Sequence, residues 1–329
     1  MRSCAGAVLL LFMLCSCTTV RITDDPASKF YGQSTDGSGP VFTSDLPTQK
    51  GLKLPGRSSY IMKDRRGQIW IPLEYKKDRR AAENKVIVIK DFQFVKTIDD
   101  LPSFPIKVIE GHDVHAVLSA EDGVTGKVTF IKESDFSVAK ILDIEGDIQD
   151  AVFDDTYLYV VSNITTDGKN SNLYRIQLDD FSSEKTIVES GRIYSIEAHL
   201  NELYLGVYSG LEGQSHLAIY DKDLGLIERI PSSQYPFDMV RKDNFLLILH
   251  VDLASVDKEV KSVLSRMDVR TRQIETLQLP QNFYHLSLVD DKAVVTSLAS
   301  KTYVEVDIDA WRETVIEGEV FFRSNVVGK

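Results

Sequence analysis

After residue 17 the chain has no cysteine; its three are Cys4, Cys15 and Cys17. That excludes disulfide bracing downstream, and it excludes any zinc site built on thiolates. Apolar runs long enough to cross a bilayer are missing too. The apolar stretch at residues 5–14 falls well short of the roughly 20 residues that a spanning helix needs. Tryptophan is limited to Trp70 and Trp311, and no apolar periodicity supports a helix longer than two turns. Positive charge is in deficit: 38 Lys and Arg stand against 49 Asp and Glu, a net −11, which argues against nucleic acid as a partner. The chain also lacks a Gly-x-Ser-x-Gly elbow, a P-loop and a dinucleotide fingerprint. No motif assigns a catalytic residue, and none implies a cofactor.

What fills the sequence instead is a repeat. A strand, an acidic turn, a large apolar residue and a second strand recur around Asp91-Phe92, Asp135-Phe136, Asp180-Phe181 and Asp223-Leu224. The anchors Phe92, Phe136, Phe181 and Leu224 are 44, 45 and 43 residues apart, and looser copies follow at Met267-Asp268 and Val306-Asp307. A period of that size fits an array of units, each of four short strands. Six units are expected, at 58–102, 103–147, 148–191, 192–235, 236–281 and 282–329. In each the second strand is the most apolar, as at 114–118, 158–161, 203–207 and 246–249. Near-continuous apolar runs mean burial on both faces, as for a strand held between neighbouring sheets.

The fold class expected is therefore all-β, a six-bladed β-propeller over residues 51–329, with seven blades as the alternative. Closure decides between them, because an open ring leaves strand edges free to pair. Residues 51–55 read as a fourth strand donated to the last blade, while Thr314-Val315-Ile316 could serve that blade as its own. In period and strand grammar the chain resembles the six-bladed propellers of the TolB-like and NHL-like kind that occur as bacterial lipoproteins.

The N-terminus has its own resemblance. Arg2 and the apolar stretch after it have the layout of an export signal, ending in Leu14-Cys15-Ser16-Cys17. That ending resembles the lipobox of bacterial lipoproteins. It implies removal of residues 1–16 and acylation of Cys17, palmitate included, so that the membrane itself becomes a partner through a lipid anchor. It further implies an exported, lipid-anchored protein of the bacterial cell envelope. Thr18 stands where an Asp would favour inner-membrane retention, which points to the outer membrane. Residues 17–50 are rich in Thr, Ser, Asp, Gly and Pro and read as a flexible tether, with a reach of about 30 Å.

In a propeller the loops from second to third strands share a face with the starts of the innermost strands. Here those loops, at 74–84, 162–172, 208–215 and 250–261, are the long ones, which marks that face for binding. Aligned first strands place Tyr60, Ile106 or Lys107, Asp150, Ser195, Asp238 and His285 in one column toward the axis. A one-residue slip in register would swap the whole column. This column is the expected ligand-binding site, and its carboxylates and imidazole have the chemistry to hold a divalent cation. His112 and His115 lack a visible third and fourth ligand for zinc, so both are expected at the surface and no metal site is assigned. Two functions follow. The first is a non-catalytic envelope lipoprotein whose long-loop face meets a protein or glycan partner. The alternative is a metal-assisted hydrolase or lactonase-like propeller enzyme with Asp150, Asp238 and His285 at its axis.

Overall fold

The computed structural model describes residues 58–317 except 59, 77–81, 91–92, 121–122, 165–168, 189–190, 210–214, 253–260, 290 and 298–301. It also gives the backbone of short strands at 22–23, 30–33, 40–43, 49–50, 56–57 and 324–325. Six antiparallel meanders of four strands follow in chain order, at 61–98, 105–145, 147–188, 192–231, 235–278 and 285–317, with no helix among the described residues. The chain is a six-bladed β-propeller.

Burial follows the order of strands from axis to rim. Second strands such as Tyr157–Asn163 and Glu202–Tyr208 are buried along nearly their whole length, whereas the fourth strands Gln93–Ile98 and Arg312–Glu317 are mostly exposed. Lys, Arg or Glu interrupts the apolar residues of every rim strand, which blunts an edge that would otherwise recruit another chain. The core is a ring of layers between blades. Ala116, Leu118 and Phe130 of the second blade pack on Ile148, Leu158 and Val160 of the third. Tyr159 and Leu173 of the third pack on Ile196, Leu205 and Ala218 of the fourth. Burial of these layers, at about 25 cal/mol per Å² of apolar surface, is what holds a domain that contains no cysteine.

The residue that marks the repeat has an unusual backbone. Phe136, Phe181, Leu224, Arg272 and Trp311 each close the turn between third and fourth strands, and all have φ between 50° and 65°. A left-handed residue after such a turn is ordinarily Gly or Asn, because a Cβ there costs on the order of 1 kcal/mol. Contact with the preceding blade offsets that strain. The Phe136 ring centre lies 5.5 Å from that of Trp70, and Phe181 lies 4.7 Å from Phe130. Arg272 stacks over Tyr204, and Trp311 under Arg266, in the same way. The large side chain of the repeat is a latch across each of these five blade boundaries; Phe92 of the first blade lies outside the described residues. Phe136→Gly relieves the strain yet is expected to lower stability by about 2 kcal/mol, because the lost ring contact outweighs it. A urea midpoint unchanged from the parent would show that the latch contributes nothing.

Closure differs from the donated-strand expectation. Arg312–Glu317, which contains Thr314-Val315-Ile316, pairs with Thr302–Asp307 and completes the last blade from its own segment. The seven-bladed alternative goes with it. The first blade instead gains Ser324–Asn325, which lies parallel to its inner strand with Ser324 opposite Ile61. Residues 51–55 lie outside the described residues, as do the signal segment and Cys17. Within 17–50, Phe30–Gln33 pairs with Pro40–Thr43 and Ile22–Thr23 with Gln49–Lys50; the rest of that segment is outside the description.

Candidate functional site

The inner strands share an irregularity that builds the axis. In blades two to five the ladder between first and second strands skips one residue, at Ile106, Gln149, Tyr194 and Phe237. A bulge sets two consecutive residues against one partner and re-aims their side chains. In the first blade the ladder is interrupted at the same level, where Ser58 Oγ donates to the Tyr60 carbonyl at 2.7 Å.

Five of the six predicted column residues, Tyr60, Lys107, Asp150, Asp238 and His285, meet around one cavity of about 90 Å³ at the axis. The skipped residues Ile106, Gln149, Tyr194 and Phe237 line it with them. Sequence alignment of the blades offered Ile106 as an alternative to Lys107 but missed Gln149, Tyr194 and Phe237, and the available signal was weak: each stands one position before a column residue. Ser195 does not line the cavity. It is buried against Gly206, its Oγ 3.0 Å from where a Cβ on that glycine would stand, and Tyr194 takes its place in the wall.

The floor of the cavity is charged. Lys107 Nζ lies 2.5 Å from Asp150 Oδ1 and 5.4 Å from the centre of the Tyr60 ring. Burial works against the Lys107 charge, but Asp150, Tyr60 and Asp238 outweigh it and hold the ammonium well above the ordinary lysine range. Both aspartates also bind backbone. Asp150 accepts the N–H groups of Ala151 at 2.8 Å and of Ile196, in the next blade, at 3.3 Å. Asp238 repeats the clasp with Met239 at 3.1 Å and with Leu286 of the next blade at 2.9 Å. These carboxylates tie neighbouring inner strands together. Among the described residues, Asp150, Asp238 and His285 do not bring three ligand atoms within 4.8 Å of one another.

Lys107 and Asp150 also border a second axial cavity of about 220 Å³ that reaches Phe153, Glu197 and Met239. The ion pair is thus the waist of an axial channel. Below it, burial and then the Asp150 charge push the Glu197 carboxyl up to about 8, against the pull of Lys107 and Arg241. Above it, the wall is aromatic. Tyr194 stacks on Phe237 at 5.9 Å, and Tyr235 meets the two edge-on at 5.4 and 5.6 Å.

The ladders place this aromatic end on the long-loop face. Asn163 ends its second strand opposite both Asp147, where the inner strand begins, and Ser171, where the third begins. Val251 stands likewise opposite Tyr235. The second-to-third connections therefore leave from the face at which inner strands start; their middles lie outside the described residues. Of the two histidines expected at the surface, His112 is exposed and His115 is fully buried.

No protein-family model matches the chain, and no curated protein is similar to it in sequence. Solved structures do match. The likeness is one of fold. A protein of Bacteroides uniformis ATCC 8492, provisionally assigned as a 6-phosphogluconolactonase, superposes with a TM-score of 0.60 at 12% identity, covering 92% of this chain and 95% of its own. BamB from Moraxella catarrhalis gives 0.56 at 10% identity, over 93% of this chain and 87% of its own. Apo AztD from Citrobacter koseri gives 0.52 at 12% identity, over 89% and 96%. At such identities no site residue transfers from them to this chain.

Proposed function

We propose that the chain is a lipid-anchored protein of the bacterial cell envelope, held in the outer membrane through Cys17. Its propeller acts as a non-catalytic scaffold that presents the long-loop face to an envelope protein or glycan. The observation that carries this reading is the aromatic-walled axial cavity of about 90 Å³. A drug-sized ligand needs about 300 Å³ or more. One protruding side chain or the edge of a sugar ring fits instead, and rings such as Tyr194 and Phe237 offer it apolar faces beside polar groups. The engagement of Asp150 and Asp238 by backbone N–H groups supports scaffolding over hydrolysis.

The anchor rests on Leu14-Cys15-Ser16-Cys17. Cys17→Ser is expected to abolish incorporation of labelled palmitate in cells and to move the protein into the soluble fraction. Membrane attachment that survives this change contradicts the anchor. The enzyme alternative has an equally direct test: lactone or ester turnover by the purified protein, lost in His285→Ala, would replace the scaffold reading.

A further inference from the structure

We infer a second site, for a first-row divalent cation such as Zn²⁺, built from Asp64, His115 and Glu133 on the short-turn face between the first and second blades. Three separate segments supply it. Asp64 opens the turn after the first inner strand, His115 is the second residue of the next blade's second strand, and Glu133 directly follows that blade's third. One ligand atom from each lies within 4.8 Å of the other two, and the residues are only 3%, 0% and 2% exposed.

The repeat shows how unusual two of these residues are. Counted from the paired inner-strand residues, His115 holds the place of Leu158, Leu203 and Leu246 in the next three blades. Glu133 N–H donates to the Asp113 carbonyl as Leu178 does to Thr156, Val269 to Asn244 and Ile308 to Asp291, so Glu133 also replaces an apolar residue. An imidazole and a carboxylate therefore enter one blade boundary at positions that three other blades each fill with hydrocarbon; at the Glu133 position the fourth blade has Lys222. Burying such groups costs free energy unless they are paired. Among the described residues, His115 Nε2 makes no hydrogen bond, and Glu133 Oε1 has only the Arg66 guanidinium beside it, at 2.9 Å.

The surroundings fit a metal shell. Asp64 is oriented by the Arg66 and Gln68 N–H groups at Oδ1 and by Trp70 Nε1 at Oδ2, 2.9 Å away. His115 Nε2 points at that same Oδ2 from 3.7 Å, too far for a hydrogen bond. Ligation at Nε2 puts the ring proton on Nδ1 and gives up a 3.4 Å contact from Gly111 N–H. Arg65 and Arg66 cover Glu133 at 2.6 and 2.9 Å from the solvent side, and they are the groups an entering cation displaces. One imidazole with two carboxylates suits a first-row transition ion better than Ca²⁺ or Mg²⁺.

Trp70 is a built-in reporter, its ring centre 4.6 Å from that of His115. In full-length Trp311→Phe protein it becomes the sole tryptophan. Titrated Co²⁺ is expected to quench its emission saturably at one ion per chain, and Zn²⁺ to reverse the quench and raise Tm. His115→Leu installs the residue of three other blades, so it keeps the fold and should lose binding at least 100-fold. Glu133→Gln should weaken binding at least 10-fold. No saturable quench in the parent, or equal affinity in a folded His115→Leu, overturns the site.

Discussion

Asp150→Ala is expected to lower the stability of the propeller by about 3–5 kcal/mol. Two losses combine. Lys107 Nζ, now 2.5 Å from Asp150, is left as a largely buried charge, its side chain 20% exposed, without its nearest counter-charge. The Ile196 N–H, which Asp150 holds across the blade boundary, loses its acceptor as well. Urea unfolding at neutral pH reads the change as a lower midpoint at an unchanged slope. Lys107→Met in the same chain should recover a large part of the loss, because the two residues are coupled and the double variant buries no orphan charge. A single-variant loss under about 1 kcal/mol would mean that the waist pair is solvated and weak.

The second large effect is a dependence on pH that runs through Glu197. Its carboxyl is raised from the ordinary 4.5 to about 8, so between those values the folded chain keeps a proton that the unfolded chain has released. Stability from this group is therefore fully present below about 4.5 and is lost as pH rises through about 8. The loss is on the order of 3 kcal/mol, allowing for the partial exposure of the side chain. Glu197→Gln removes the titration: the variant should gain Tm over the parent at pH 8.5 and little at pH 4.5. Parallel Tm curves across that range would contradict it. His250 acts in the opposite sense. Burial pushes its imidazole from 6.5 down to about 4, so its contribution is present above 6.5 and is lost as pH falls through about 4.

The fold was legible because its repeat is local chemistry. Each blade needs a buried second strand, and that strand shows directly as an apolar run such as Leu158-Tyr159-Val160-Val161. The large turn residue was legible as a period, although its left-handed backbone and its contact with the preceding blade are tertiary facts. The axial column could be aligned for the same reason. Its one-residue ambiguity could not be resolved, since the bulges at Ile106, Gln149, Tyr194 and Phe237 turn neighbours toward the axis as well. Ser195 aligns with the column yet lies outside the cavity, packed on Gly206, which only the folded chain reveals. Closure stayed open because residues 51–55 and Thr314-Val315-Ile316 both read as an edge strand for the last blade, and only the pairing of Arg312–Glu317 with Thr302–Asp307 decides between them. His115 was the least legible: Asp64 and Glu133 are 51 and 18 residues away, and only blade packing brings them to it.

In the proposed function an envelope partner meets the aromatic end of the axis, on the long-loop face. Capture from envelope extract on the immobilised protein tests this most directly, with two variants beside the parent. Tyr194→Ala with Phe237→Ala strips the cavity wall, and Lys242→Ala alters the opposite face. One partner is expected to be retained by the parent and by Lys242→Ala, and to fall at least tenfold with the axial double variant while that variant stays folded by circular dichroism. Equal retention by the axial variant, or loss in Lys242→Ala alone, would contradict it.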